Sequence, residues 1–444
     1  MDGTDRLAVG KKIKTVSNDT LTVKEFIAEG GQGGVYKVIY QGQEKALKWY
    51  KKSFLDSNKN IQSFYDNLRT NINKGKPSEE FLWPLDITEW TNNGNDSFGY
   101  IMDLRSPEYY DIPKFMRGTA NFSSYRKIID ACLHIVGAYR KLHNMGYSYQ
   151  DLNDGNFFIN PEKGRVLICD NDNVAPNGRE MGIIGKPRYL APEVVLGKTK
   201  PNTQTDIFSM SIILYILFCN NHPLEGKRYF VPALSPELQK KLYGSEAYFI
   251  MDPDPKNPNK PDPTKIKSHK NSITFWKCLP NYIQDIFSSA FSQDSIKNPN
   301  RRPSEINWLK ALTRFRSEIV DCSCGNEVFT KNGESCKCDC CGKKIQIPFR
   351  LVLRDYAIPA IKNTRIYKCQ LGVCSDNKAL DPVASIVLSK DTGELHIWNK
   401  TKDIWNATTP SGKHKKVVPE NKIPIKDGIK FIIDSQEIKI EANK

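Results

Sequence analysis

The opening part of the chain consists of short, largely apolar runs punctuated by glycine and polar positions. Residues 21–28 and 35–40 read as strands flanking a glycine cluster, 45–50 as a third strand and 98–104 as another, with a helix predicted at 61–70. The period changes after residue 124. Ile128, Ile129, Cys132, Leu133, Ile135 and Val136 recur at helical intervals over 125–144, and further helices are predicted at 207–219 and 282–291. Residues 252–262, rich in Pro, Asn, Asp and Lys, read as an exposed insert. Short strands return near the end, at 384–388, 394–398 and 430–434, with Asp391-Thr392-Gly393 and Asp427-Gly428 as turns. No internal repeat is visible.

This succession describes a strand-rich lobe, a helix-rich lobe ending near residue 318, a cysteine cluster and a final strand region. A chain of 444 residues is expected to form two or three domains. The net charge of +15 is carried by scattered lysines with no long basic block. It therefore reads as a solvated basic surface, and no nucleic-acid partner is expected. The start, Met1-Asp2-Gly3-Thr4-Asp5, has no leader character, and the most apolar run, 207–219, is too short to cross a bilayer. Six of the 12 cysteines fall between Cys322 and Cys341, which points to a metal site in a reducing compartment, so a cytoplasmic protein is expected.

The glycine cluster Ala28-Glu29-Gly30-Gly31-Gln32-Gly33-Gly34-Val35 lies between two predicted strands. Glycines there let backbone N–H groups approach phosphate oxygens, although a purely structural hairpin has the same composition. Ala46-Leu47-Lys48 follows, placing a lysine at the end of an apolar strand where it can meet those phosphates. Asp151 and Asn156 lie in a polar loop after the long helix, and Asp170 follows the predicted strand 165–169. Phosphoryl transfer needs a carboxylate to orient the attacking hydroxyl and oxygen ligands to hold magnesium. Asp151 suits the first role; Asn156 and Asp170 suit the second. One such Asp alone would be an Asx-turn or a helix cap.

Residues from about 20 to 316 resemble a eukaryotic-type protein kinase. Gly30, Gly33 and Val35 match the family's glycine loop, Lys48 its strand lysine, Asp151 its catalytic aspartate, and Asn156 and Asp170 its magnesium ligands. Gly185-Lys186-Pro187-Arg188-Tyr189-Leu190-Ala191-Pro192-Glu193 matches the end of the activation segment. Asp206 and Ser209 fit the central helix of the large lobe, and Arg302 the arginine that pairs with Glu193. The resemblance implies an α+β, bilobal fold with lobes at 1–105 and 106–318, using ATP and magnesium on a Ser/Thr protein substrate. It also implies that Ala28, Gly30, Gly31, Gly33, Gly34, Val35, Ala46 and Lys48 line the nucleotide site, with Met102, Asp103, Leu104 and Arg105 as the hinge beside adenine. The stretches Phe81-Leu82-Trp83-Pro84-Leu85-Asp86, Gly146-Tyr147-Ser148-Tyr149 and Cys169-Asp170-Asn171-Asp172-Asn173 are similar to bacterial kinases associated with tellurite resistance. That subgroup implies a zinc ribbon after the kinase domain, and a von Willebrand A-type protein and a metal-dependent protein phosphatase as partners.

Departures from the family pattern are informative. Ala28 replaces the loop's first glycine, and Gln150 replaces the arginine that holds a phosphorylated activation loop. Residues 170–193 contain no serine or threonine, so a segment held by packing is expected. Asn153 stands in place of a lysine, with Lys186 as a candidate replacement charge, and Asn171-Asp172 replaces Phe-Gly. Asp172 reads as an extra metal ligand or a surrogate for Asp170. The helix glutamate that pairs with the strand lysine in the family is not identified by the sequence: its place is near Asn67, the nearest acid is Asp66, and the position stays open. These changes sustain an alternative, a nucleotide-binding pseudokinase acting as a scaffold.

Cys322-Ser323-Cys324-Gly325 and Cys338-Asp339-Cys340-Cys341-Gly342 have the layout of a zinc ribbon, expected at 319–347. Cys322, Cys324, Cys338 and Cys341 are the expected ligands of a structural zinc, with Cys336 and Cys340 as alternatives. Cys369 and Cys374 form a further candidate pair. Residues 348–444 loosely resemble a small all-β sandwich of forkhead-associated type, through Gly393-Glu394-Leu395-His396-Ile397-Trp398 and Lys426-Asp427-Gly428-Ile429-Lys430-Phe431. The arginine and serine pattern with which that family grips phosphothreonine is missing, so a docking module is expected.

Overall fold

The alternation in Gly33–Tyr40 buries Tyr36, Val38 and Tyr40 on one side of a strand, while the neighbouring Gln43–Tyr50 is buried on both faces, Ala46 and Tyr50 in one cluster and Leu47 in the other. The result is a six-stranded antiparallel sheet in the order Lys12–Lys14, Thr20–Glu29, Gly33–Tyr40, Gln43–Tyr50, Gly99–Asp103, Asp86–Ile87. The structure is a computed structural model that describes residues 6–91, 96–179, 185–372, 374 and 376–443. Its contacts divide the chain into two units. The first comprises Met1–Asn121, Ala138–Trp276 and Ser288–Arg302; the second comprises Phe122–Gly137, Lys277–Phe287 and Pro303–Lys444.

In the first unit, both faces of the sheet are covered. Leu7, Leu21, Val23, Tyr36, Leu47 and Ile101 pack on one side. Ala46, Tyr50, Tyr100 and Met102 on the other meet Phe64, Tyr65 and Leu68 of helix Ile61–Lys74. That helix presents Ile61, Phe64, Tyr65, Leu68 and Ile72 as one apolar stripe. It stops at Gly75, whose φ of 77° is open to glycine at little cost.

The apolar run predicted at 207–219 begins four residues earlier, as helix Thr203–Cys219. Asn202 and Thr205 form a reciprocal capping box, which supplies the polar first turn that the hydrophobic pattern concealed. Every residue from Thr205 to Cys219 is buried. Ser209 and Ser211 satisfy their hydroxyls on the carbonyls of Thr205 and Ile207.

The insert predicted at 252–262 is only partly exposed. Asn257 and Asn259 are buried, and their amides donate to the carbonyls of Phe249 and Leu224 at 2.8 and 2.7 Å. Polar composition here marks loop anchors that satisfy buried backbone, a role that turn propensity does not distinguish from solvation.

In the second unit, helix Glu305–Ser317 leads into two small hairpins, Ile319–Asp321 with Glu327–Phe329 and Cys336–Lys337 with Lys344–Ile345. Two antiparallel sheets of six and four strands follow, beginning at Phe349–Val352. They share one core that includes Leu351, Ile358, Ile386, Ile397, Trp405, Phe431 and Ile438. Among the described residues, no helix is long and apolar enough to cross a membrane.

Candidate active site

The candidate residues in the first unit meet where a central strand of the large sheet faces the end of a small hairpin. Lys48 sits opposite Val35 on one side and Tyr100 on the other, so it occupies a central strand. Val166–Ile168 pairs with Phe157–Ile159, and the N–H of Cys169 extends this ladder to the carbonyl of Asn156 at 2.8 Å. That ladder sets Asn156 beside Asp170. Asp170 itself adopts a left-handed conformation, φ 54°, which turns its carboxylate toward Lys48 at 3.2 Å.

The loop around Asp151 is held from beneath. Asp206 accepts the N–H of Tyr149 at 2.6 Å and that of Gln150 at 3.3 Å, and lies 3.1 Å from His143. The Asn156 amide donates to the Asp151 carbonyl at 2.8 Å, which leaves its Oδ1 as an acceptor. Asn153, in the position of the missing lysine, donates to Asp151 Oδ1 at 3.3 Å. Asn173 donates to Asp151 Oδ2 at 3.4 Å. A Cβ at Gly185 would lie 3.0 Å from Asp151 Oδ1, so a side chain there would crowd the carboxylate.

Burial, and then the neighbouring Asp170 carboxylate, push the Asp151 carboxyl up to about 6. Lys48 moves the other way from what burial alone would do. Desolvation disfavours its ammonium, but Asp170 and Asp172 outweigh that and hold it well above the ordinary lysine range.

Asp172 settles a position that the sequence left open. Its Oδ2 accepts from Lys48 Nζ at 2.7 Å and from the Tyr50 hydroxyl at 2.6 Å, and its side chain has no exposure. Asp172 is thus the buried partner of Lys48. Asp66 points elsewhere: it is exposed and accepts from Gln62 at 3.3 Å. Asn67, at the family's glutamate position, donates instead to the carbonyl of Val174 at 2.7 Å, and Asn71 does the same at 2.8 Å. One signal for this was in the sequence. Lys48 and Tyr50 share a strand face, so two donors aimed at one buried point required an acceptor there.

The glycine loop folds back on itself, with the N–H of Gly30 donating to the carbonyl of Gly33 at 2.8 Å. Gln32 at its tip reaches Lys48 through Oε1 at 2.8 Å. Gly33 has a structural cause, since a Cβ there would meet the Trp49 carbonyl oxygen at 2.1 Å, whereas Gly31 faces open space. Gly34 packs beside the Tyr36 ring, and Ala28 pairs with Val35 across the hairpin. Ala46 and Met102 are buried opposite one another. Of the hinge residues, Leu104 packs on the core, Asp103 pairs with Lys45 at 2.8 Å, and Arg105 lies over Phe158 and donates to the Tyr109 carbonyl.

The Protein kinase domain family matches residues 21–304, nearly two thirds of the chain. The chain belongs to the protein kinase family. Similar proteins include the RGS domain-containing serine/threonine-protein kinase A of Dictyostelium discoideum, 24% identical over 299 residues that cover 63% of this chain and 25% of that protein. Calcium-dependent protein kinase 5 of Plasmodium falciparum is 24% identical over 265 residues, 55% of this chain and 42% of that protein. Maternal embryonic leucine zipper kinase of Xenopus laevis is 32% identical over 101 residues, 22% of this chain and 16% of that protein. This kinase-family chain therefore spans less than half the length of each of these relatives.

The residues that carry nucleotide chemistry in this family are suited to magnesium here. Asp170 is partly open to solvent, and Asn156 Oδ1, which accepts no hydrogen bond among the described residues, completes a pair of hard oxygen donors. The described residues of 170–193 are held by several contacts. The Gln150 amide donates to the Arg179 carbonyl, Arg188 forks onto Glu225, and Tyr189 is buried. Residues 180–184 of the serine-free stretch lie outside the described residues.

In the second unit, Cys322, Cys324, Cys338 and Cys341 place their sulfur atoms within 4.8 Å of one another. Gly325 and Gly342, with φ of 88° and 72°, make the two knuckle turns. The backbone N–H groups of Cys341 and then Cys340 draw the Cys338 thiol down to about 6. Four sulfur donors at this spacing fit a closed tetrahedral zinc site. Among the described residues Cys336 and Cys340 stand outside the group, while Cys369 lies 3.7 Å from Thr313 Oγ1 and Cys374 3.1 Å from Asp376 Oδ1.

Proposed function

We propose that this chain is an ATP-dependent protein kinase that phosphorylates serine or threonine side chains. The observation that supports this most directly is the convergence of Lys48, Asp151, Asn156 and Asp170 on one point, with Asp151 and Lys48 both electrostatically coupled to Asp170. Magnesium-bound ATP supplies the phosphoryl donor. Asp151 would orient the substrate hydroxyl and accept its proton as the γ-phosphoryl group passes to that oxygen and ADP leaves; Lys48 would align the phosphates, and Asn156 Oδ1 with Asp170 would hold the metal. Gly30, Gly31, Gly33 and Gly34 would let the loop backbone lie close to the phosphates, while Met102, Asp103, Leu104 and Arg105 would border the adenine.

The serine-free activation segment and the Gln150 contact to Arg179 support a kinase whose segment is set by packing, with no phosphoserine or phosphothreonine switch. A closed four-cysteine zinc site would be structural, stabilising the ribbon at 319–347. The β region at 348–444 would serve as a docking module. The resemblance to tellurite-resistance kinases makes a von Willebrand A-type protein and a metal-dependent phosphatase the first substrates to try.

The deciding experiment incubates the purified chain with labelled ATP, magnesium and these substrates, beside Asp151→Ala. Label transfer that requires Asp151 is expected. Nucleotide binding with no transfer would replace this reading with that of a pseudokinase scaffold.

A further inference from the structure

The family's strand lysine needs a carboxylate to hold it, and helix Ile61–Lys74 offers only Asp66, which faces solvent. The first unit places two other carboxylates at Lys48. Asp170, at 3.2 Å, is 43% exposed and doubles as a magnesium ligand in the proposed mechanism. Asp172, at 2.7 Å, is fully buried and fixed by a second hydrogen bond from Tyr50. When metal draws on Asp170, Asp172 is the carboxylate left to Lys48. Its Oδ1 has no partner among the described residues, so its burial is sustained through Oδ2 alone.

We propose that Asp172 is the positioning residue for Lys48, replacing the helix carboxylate, so that the lysine's partner and the metal-binding aspartate move as one short segment. Resting on the kinase reading, this assigns the site a mode of assembly. Residues 170–174 carry the Asp170 carboxylate, the Lys48 partner and the Val174 carbonyl that Asn67 and Asn71 grip. Helix Ile61–Lys74 is thereby anchored to the segment by amides and contributes no charge to Lys48. No movement of that helix is needed to bring the ion pair together. Whatever orders residues 170–174 orders all three contacts.

The test is a double-mutant cycle on the full chain, read both as affinity for magnesium-ADP and as label transfer. Asp172→Asn keeps the shape and the Tyr50 contact but removes the charge. It is expected to lower transfer by ~30–100-fold, the scale of a misplaced catalytic group. Because Asp172 acts through Lys48, adding Asp172→Asn to Lys48→Met should change affinity and transfer by less than about threefold. A purely structural role would add its full loss in both backgrounds. Asp66→Asn should leave transfer within about twofold of the parent. The proposal is overturned if Asp172→Asn alone stays within about threefold of the parent, if the two losses add in full, or if Asp66→Asn matches the Asp172→Asn loss. A parent chain that binds nucleotide but transfers nothing would instead defeat the kinase reading, and the affinity arm of the cycle would still judge Asp172.

Discussion

Asp206 Oδ2 lies 2.6 Å from the backbone nitrogen of Tyr149, so the loop that carries Asp151 hangs from the first turn of helix Thr203–Cys219. The same carboxylate also takes the N–H of Gln150 and faces His143. Position and stability of the loop are therefore coupled through one side chain.

Asp206→Ala would strand two buried N–H donors, each costing about 1–3 kcal/mol. A loss of about 2–6 kcal/mol in chemical denaturation is expected, with transfer falling more than nucleotide affinity. Equal losses of both would mean that Asp206 serves the fold alone.

The raised carboxyl of Asp151 sets a pH dependence. As proton acceptor it must be ionised, so kcat/KM should climb through about pH 6 and level off above it. Stability runs the opposite way. The native carboxyl titrates above its unfolded value, so ionisation costs stability as pH rises from about 4 to 6. Asp151→Asn should therefore abolish transfer yet raise the melting temperature at pH 7, with little difference at pH 4. An unchanged melting temperature at pH 7 would show that the carboxylate carries no such burden.

Arg302 forks onto Glu193 at 2.7 and 2.8 Å, with its own side chain 1% exposed. Removing one member of such a buried pair costs about 3–5 kcal/mol. Arg302→Lys should recover little of this, because an ammonium cannot make both bonds of the fork. Denaturant titration of Arg302→Ala, Arg302→Lys and the parent checks it.

Zinc content separates the cysteines. The parent and the Cys336→Ser and Cys340→Ser variants should each purify with one equivalent, while Cys338→Ser and Cys341→Ser should lose it. Chelation should then unfold the ribbon, visible as new protease sites within 319–347. Loss of zinc in Cys340→Ser would move the ligand set.

The glycine loop offers a local contrast. Gly33→Ala should destabilise the chain by about 1–3 kcal/mol, because its Cβ would collide with the Trp49 carbonyl. Gly31→Ala should leave stability unchanged, and any effect it has should appear in nucleotide affinity. Matching melting temperatures for both variants would remove the steric argument.

Much of this protein was legible in its residue order. Short apolar runs flanking the glycine cluster marked the strands around Lys48, helical spacing placed Tyr125–Asn144, and the spacing of Asp151, Asn156 and Asp170 named the candidate site. These are local properties, since a strand face or a loop motif is written within a few consecutive residues. What held Lys48 was not legible in the same way. Asp172 lies 124 residues downstream, and its role depends on a left-handed turn at Asp170 and on burial beside Tyr50. Nor could composition tell that Asn257 and Asn259 point inward, whereas the four cysteines that face one another are the four their spacing singled out. Pairing across long separations is decided by packing, because only the assembled core fixes which buried donor meets which acceptor.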